Sequence, residues 1–314
     1  MPAILVSELV EARFAAALDA AAPGMTRVVV GPGGASGDPA RVEVAFFSGD
    51  LYPDGTRAFV SALARAESLR WLHTFSAGVD HPWFQKLHAS GVRLTTSSGS
   101  AAPPIAQTVM LYLLALTRGL PAWADAQRRR AWEPHEVRDL TGMRLGVAGL
   151  GPIGLEVARL GAAFGMEVVG LRRTPRGDEP CETWPLGRLD ELLPRVDALV
   201  LALPLAPETR RLVGERELAL LPPGALLVNV GRGEVVDEAA LVRALESGRL
   251  GGAGLDVFER EPLPPESPLW ALPNVIVTPH ASGTSAASRE RACALFLDNL
   301  ARYVRGEPLR NEVS

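Results

Sequence analysis

Lysine is almost missing from this chain: Lys86 stands alone among 32 basic side chains. With no lysine in a suitable context, neither Schiff-base chemistry nor a Walker-type phosphate loop is expected. Cysteine is nearly as scarce. Cys181 and Cys293 have no close partner in sequence, so neither a disulfide framework nor a zinc site is expected, and a reducing, cytoplasmic setting is. No apolar run reaches the length that spans a bilayer. The first residues lack the basic and cleavage regions of a signal peptide, so no membrane association is expected. Positive charge is not in excess either. A formal net charge of −4 gives no footprint for nucleic acid. What remains is an ordinary globular composition, 47% hydrophobic and 22% charged, over 314 residues, which suits two domains.

The most informative stretch begins at Arg144. A short, mostly apolar strand ends in Gly149, Leu150, Gly151, Pro152, Ile153 and Gly154. A helical pattern follows, with Ile153, Val157, Leu160, Ala163 and Phe164 at spacings of three and four, and then a second strand ending at Leu171. Strand, glycine turn, helix and strand in that order give the context a dinucleotide fingerprint requires. Gly149 makes the tight turn, Gly151 admits a pyrophosphate close to the backbone, and Gly154 lets the helix pack on its strand. The helix N-terminus offers free N–H groups to phosphate. An ordinary glycine-rich turn is the bland alternative.

Past the second strand stand Arg172, Arg173 and Thr174. An acidic residue at this position would bind the ribose hydroxyls of NAD(H). Two guanidiniums and a hydroxyl suit a 2′-phosphate, so NADP(H) is the expected cofactor, with NAD(H) possible. The competing reading puts one or both arginines on a solvated loop.

Upstream, apolar runs at 3–6, 27–30, 42–47, 69–74 and 92–95 alternate with helical patterns at 12–21 and 58–66, as in a small doubly wound parallel sheet. Ser48 and Gly49, then Ser76, Ala77, Gly78, Val79 and Asp80, follow two of these strands and are candidate substrate loops, although turn chemistry alone explains Gly49 and Gly78 almost as well. Residues 103–130 read as one long helix, with Ile105, Val109, Leu113 and Leu116 on its apolar face. Further strands are expected at 196–203, 225–230, 252–257 and 275–278. An amphipathic helix over 285–305 presents Cys293, Phe296, Leu297, Leu300 and Val304 on one face. No strand is left for it to join, so it is expected to return to the first domain. The organisation expected is therefore α/β, with two doubly wound parallel-sheet domains. A Rossmann domain (103–283) interrupts a flavodoxin-like substrate domain (1–102 plus 284–314).

Three polar residues stand at ends of the late strands: Arg232, Glu261 and His280. Parallel strands place their carboxyl ends on one edge, so these residues can converge although distant in sequence. Arg232 can clamp a carboxylate through two parallel hydrogen bonds. His280 can move a proton near neutral pH, and Glu261 can orient its ring and favour its charged form. Singly, each could be a solvated loop residue or a satisfied core residue.

These residues carry a resemblance. The run Gly149 to Gly154, then Asn229, Val230, Gly231, Arg232 and Gly233, then Gly254, Leu255, Asp256, Val257 and Phe258 with Glu261, Pro262 and Leu263, and finally Thr278, Pro279, His280 and Ala281 closely resemble the D-isomer-specific 2-hydroxyacid dehydrogenases. The resemblance covers nearly the whole chain. It implies Arg232, Glu261 and His280 as the catalytic set and Asp256 near the nicotinamide carboxamide. Leu203, Pro204, Thr209, Val230 and Gly231 would line the cofactor cleft. Backbone at Ala77, Gly78 and Val79, with Ser76 before them, would hold the substrate carboxylate, and a homodimer would form through the cofactor domains. Two positions depart from the pattern. Arg172 replaces the acidic residue of NAD users, and Gln107 replaces a glutamate common in the bridging helix.

The expected reaction is reduction of a small 2-oxo acid, with glyoxylate and hydroxypyruvate the best fit. A phosphorylated substrate would want cationic residues in the first-domain loops, and 48–52 has none. Phe46, Phe47, Phe75, Trp83 and Trp132 could wall a pocket for a bulkier acid or belong to the core. A dinucleotide-sensing corepressor, which could keep the same residues, is the reading from another class.

Overall fold

The computed structural model describes residues 1–313. Backbone contacts divide it into two units, Met1–Ala101 together with the segment from Thr284, and Ala102–Gly283.

The first unit contains β1 (Ala3–Ser7), α1 (Glu8–Ala21), β2 (Thr26–Gly31), β3 (Gly34–Ser36), β4 (Val42–Phe47), α2 (Thr56–Leu63), β5 (Trp71–Thr74), α3 (Pro82–Ala89) and β6 (Arg93–Thr96). Its sheet runs β3-β2-β1-β4-β5-β6. Pairing is parallel throughout, with Leu5 opposite Val28 and Ala45, except at the β3 edge, where Val29 faces Ser36 antiparallel. Apart from that hairpin the order is flavodoxin-like. The glycines of the hairpin explain why no strand is expected there: Gly34 takes a φ of +106°, and Gly34, Ala35 and Ser36 carry no apolar alternation.

All five residues of β1 are buried because both faces of the sheet are covered. Leu5, Val30, Ala45, Phe47 and Leu72 pack with Phe59 and Phe84 on one side; Ile4, Val6, Val44, Phe46 and Trp71 pack with Leu18, Phe296 and Leu300 on the other. The last two belong to the twenty-residue helix that ends the unit, Ala286–Arg305, capped reciprocally by Ser285 and Ser288 and stopped by Gly306 in the left-handed region. Val304, expected on its buried face, is 48% exposed, while Asn299 is fully buried and bonds both ways to the backbone of Arg310. Phe46 and Phe47 are core, Phe75 and Trp83 are half-buried beside Phe47, and Trp132 is 96% exposed. Within the first unit, then, Phe47, Phe75 and Trp83 form one aromatic cluster and Phe46 belongs to the opposite face of the sheet.

The second unit contains α4 (Ala102–Thr117), α5 (Leu120–Arg129), β7 (Arg144–Ala148), α6 (Pro152–Ala163), β8 (Glu167–Arg172), β9 (Glu182–Pro185), α7 (Leu189–Leu192), β10 (Ala198–Leu201), α8 (Glu215–Leu220), β11 (Ala225–Asn229), α9 (Glu238–Glu246), β12 (Leu250–Leu255) and β13 (Val275–Val277). Its parallel sheet runs β13-β12-β11-β10-β7-β8-β9, and the chain reverses direction across the sheet between β7 and β10. That is the Rossmann arrangement, whose ligand crevice lies at the reversal. The single helix expected over 103–130 is two, bent by 63°. Gly119 adopts a φ of +66° between them, and Pro121 in the first turn of α5 has no N–H to continue the ladder. Among the described residues no single helix is long and apolar enough to cross a membrane.

Candidate active site

Gly149 follows β7 and turns with a φ of +100°, its N–H reaching Leu171 O on β8 at 2.8 Å. A Cβ there would lie 2.6 Å from the carbonyl of Ala202, and one on Gly154 would lie 1.9 Å from the carbonyl of Gly149. Both glycines are thus required by the turn itself. Gly151 differs: nothing lies within 4 Å of where its Cβ would be. It caps α6, with Pro152 exposed and Ile153 half-buried in the first turn. The result is open backbone at a helix N-terminus, which fits a dinucleotide pyrophosphate.

At the end of β8 the arrangement is less open than the sequence suggests. Arg172 is 17% exposed, and its Nη1 donates to Oε1 of Glu179 at 2.8 Å. Arg173 reaches out to Glu208 at 2.5 Å, and Thr174 is exposed. Both arginines expected to read a 2′-phosphate therefore carry carboxylate partners. Further along, Leu203 is buried, and the Thr209 hydroxyl is engaged with Pro204 O at 2.7 Å and Ala206 N at 2.8 Å, knotting the loop after β10. Gly231 packs against that loop, since a Cβ there would meet Leu203 O at 2.6 Å.

Past β11, the Asn229 side chain folds the strand end into a turn, accepting from Gly231 N at 3.1 Å and donating to Arg232 O at 3.0 Å. Val230 is buried beneath it. Gly233 seals the other flank, where a Cβ would sit 1.9 Å from the carbonyl carbon of Phe258. Arg232, half-buried, is thus held between two glycines that allow close backbone contact on either side.

The loop after β12 brings Glu261 up: its Oε1 accepts from Phe258 N at 3.1 Å, and its Oε2 lies 2.8 Å from Nδ1 of His280. His280 takes a φ of +50°, unusual for a side-chain-bearing residue, and is fixed by its N–H to Asp256 O at 2.9 Å. Asp256 organises this turn. It is 2% exposed, and its carboxylate accepts from Thr278 Oγ1 at 2.5 Å, Ala281 N at 2.9 Å, and both the N–H and hydroxyl of Ser282. The Tyr112 hydroxyl on α4 bonds to Thr278 in turn. Tyr112 also lies against Gly254, where any Cβ would overlap its ring.

The electrostatics follow from these contacts. The hydrogen bond to Glu261 raises the His280 pKa above its ordinary value, against burial and the positive charge of Arg232. Burial pushes the Glu261 carboxyl up, but the bonds from His280 and Phe258 N–H and the charge of Arg232 outweigh it and leave the pKa low. The pair is open to solvent, with side chains 50% and 36% exposed. A protonatable imidazole, its ring held through Nδ1, with a guanidinium whose charge is felt by both members, can bind an anion and deliver a proton to it.

Residues 110–282 match the family described as D-isomer specific 2-hydroxyacid dehydrogenase, NAD binding domain. The chain belongs to the D-isomer specific 2-hydroxyacid dehydrogenases. It is 36% identical over 262 residues to a glyoxylate reductase of Aeropyrum pernix, spanning 80% of this chain and 78% of that one. Among solved structures it resembles a D-isomer specific 2-hydroxyacid dehydrogenase of Xanthobacter autotrophicus Py2 in complex with NADPH and MES, at 36% identity and a TM-score of 0.81, covering 100% of this chain and 98% of that one. It also resembles an NADPH-dependent glyoxylate/hydroxypyruvate reductase of Sinorhizobium meliloti in complex with NADP and sulfate, at 31% identity and a TM-score of 0.82, with 100% and 98% covered. The protein is an oxidoreductase, and its second unit is a nicotinamide dinucleotide-binding domain.

The remaining expected residues of the dehydrogenase lie in its first unit. After β5, the Ser76 hydroxyl donates to Gly78 O at 2.7 Å and the Ser76 carbonyl accepts from Ser97 N at 3.0 Å, so the carbonyls of this loop are turned inward. Ala77 is exposed, and Gly78 and Val79 are half-buried. Below the loop, fully buried His73 sits between the hydroxyls of Thr95 at 2.6 Å and Ser97 at 3.0 Å, and burial lowers its pKa to about 3. Sequence reasoning missed His73, Tyr112 and Glu179, and placed Asn229 in a motif without giving its side chain a role. Only Asn229 had a local signal, a short amide at a strand end just before glycine. Gln107 is exposed on α4.

Proposed function

We propose that this dehydrogenase reduces a small 2-oxo acid of the glyoxylate or hydroxypyruvate type to the D-2-hydroxy acid, using NADPH in preference to NADH. The Glu261–His280 pair with Arg232 beside it is the observation that carries this reading. The NADPH preference is supported by Arg172 and Arg173 at the end of β8 and by the NADPH and NADP complexes of the two structural relatives. When bound, the dihydronicotinamide supplies the hydride.

The chain's own residues do the rest. Gly149, Gly151, Pro152, Ile153 and Gly154 seat the pyrophosphate, and Leu203, Pro204, Thr209, Val230 and Gly231 line the way to the nicotinamide. Arg232 holds the substrate carboxylate and fixes the direction of the C2 carbonyl. Protonated His280 donates from Nε2 to the carbonyl oxygen as negative charge develops there. Glu261 keeps the ring oriented and the proton present. Asp256 and Thr278 hold the turn that presents His280.

The active species is proposed to be a cytoplasmic homodimer joined through the second unit. Leu111, Leu120, Trp123 and Trp132 leave large apolar surface exposed there, and both cysteines are free thiols.

Oxidation of NADPH followed by absorbance, with glyoxylate, hydroxypyruvate, pyruvate and phenylpyruvate in parallel and NADH as control, tests the reading. Turnover on the two small acids with NADPH is the expected result. Turnover on phenylpyruvate alone would replace the small-acid assignment, and equal rates with NADH would remove the cofactor preference.

A further inference from the structure

The loop after β8 contains an anion-binding cradle that the chain fills with its own carboxylate. Glu179 Oε1 accepts from Nη1 of Arg172 and from the backbone N–H of Arg176, each at 2.8 Å, and its Oε2 accepts from Gly177 N at 2.8 Å. Gly177 has a φ of +87°, a conformation that lets neighbouring backbone N–H groups converge. Two amides and a guanidinium on one small anion form the donor set that serves a phosphate equally well. The Glu179 side chain is only 3% exposed, so this is a built contact and not a surface pairing. The amides of Arg176 and Gly177, with Arg172 behind them, hold its pKa down to about 2, which keeps the carboxylate charged throughout the physiological range.

We infer that Glu179 is a specificity-determining residue: its carboxylate occupies the donors that would otherwise serve the 2′-phosphate of NADPH, and so restrains the preference for NADPH over NADH. The inference rests on the proposal that Arg172 reads the adenosine ribose. A 2′-phosphate approaching Arg172 meets a guanidinium whose charge is already balanced. Arg173, whose pairing with Glu208 is exposed and therefore weak, can still turn to the phosphate, so Glu179 restrains the preference and does not abolish it. NADH brings only hydroxyls to this place and does not compete with the carboxylate. Neutralising Glu179 releases the guanidinium for the phosphate and leaves NADH binding as it was.

The test is calorimetric binding of 2′,5′-ADP and ADP, with NADPH and NADH, to the full-length protein and to Glu179→Gln, Arg172→Gln and the double variant. Glutamine is nearly isosteric and retains an acceptor for a loop amide, and circular dichroism of each variant verifies the fold. The expected result for Glu179→Gln is roughly five- to tenfold tighter binding of 2′,5′-ADP and NADPH, with ADP and NADH changed less than about twofold. That gain should vanish in the Arg172→Gln background, which loosening of the loop alone would not produce. Weaker NADPH binding by Glu179→Gln would show that the carboxylate positions Arg172 for the phosphate, and would overturn the inference. So would no change, provided Arg172→Gln lowers NADPH affinity. If Arg172→Gln itself leaves the NADPH-to-NADH ratio intact, the reading of Arg172 fails and the inference with it.

Discussion

Nδ1 of His280 lies 2.8 Å from Oε2 of Glu261, and this contact raises the imidazole pKa while leaving Nε2 for a substrate. In the proposed reduction the imidazolium is the proton donor, so the rate is expected to be full below the raised pKa and to fall as pH rises through it. The reverse oxidation needs the neutral ring and behaves oppositely. Glu261→Gln should move the alkaline limb of kcat/KM for reduction to lower pH and reduce turnover by roughly tenfold or more, with dinucleotide affinity unchanged. An unmoved limb would mean that Glu261 does not govern the titration.

His280→Ala removes the proposed proton donor without touching the glycine loop. Turnover should fall by roughly a hundredfold or more while NADPH binding, followed by its fluorescence, stays nearly intact. Comparable turnover in the variant would sink the assignment.

Arg232→Lys keeps the charge but loses the planar fork. KM for the oxo acid should rise by about ten- to a hundredfold, with a smaller change in kcat, if the guanidinium grips the carboxylate bidentately. Steady-state kinetics at saturating NADPH decide this, and an unchanged KM would assign the grip elsewhere.

The fingerprint glycines separate fold from binding. In Gly154→Ala a methyl group would enter within 1.9 Å of a carbonyl oxygen of the backbone, so unfolding in denaturant should show a loss of about 1–3 kcal/mol. Gly151→Ala meets nothing and keeps an ordinary φ of −78°. Its stability should stay within about 0.5 kcal/mol of the parent while dinucleotide affinity drops.

Asp256→Asn leaves the His280 turn short of acceptors, because an amide nitrogen replaces one carboxylate oxygen among the Thr278, Ala281 and Ser282 donors. A loss of about 1–3 kcal/mol is expected together with lower turnover. Full activity in the variant would reduce Asp256 to a packing residue.

Much of the fold is legible because buried parallel strands read as continuous apolar runs, as at 42–47 and 225–229, and because glycine spacing after β7 admits few other structures. The misses have physical causes. β3 is a glycine hairpin and β9 a short, partly polar edge strand, so neither carries the apolar run of a central strand. The helix-forming residues on both sides of Gly119 conceal the break there. Convergence of Arg232, Glu261 and His280 on one edge follows from strand direction alone. By contrast, the Glu179 contact with Arg172 depends on how the loop after β8 folds back, and Tyr112 meets Thr278 across 166 positions of sequence. No local pattern encodes either contact.

The interruption of the first unit by the second separates the order of synthesis from the order of assembly. Residues 102–283 emerge as one uninterrupted stretch and can close their sheet without waiting for anything downstream. The first unit cannot, because Phe296 and Leu300 of its last helix cover one face of β1, β4 and β5. Until those residues leave the ribosome, this face has only α1 to cover it, and Phe46 and Trp71 lack the ring of Phe296. The segment made earliest is thus the last to be finished.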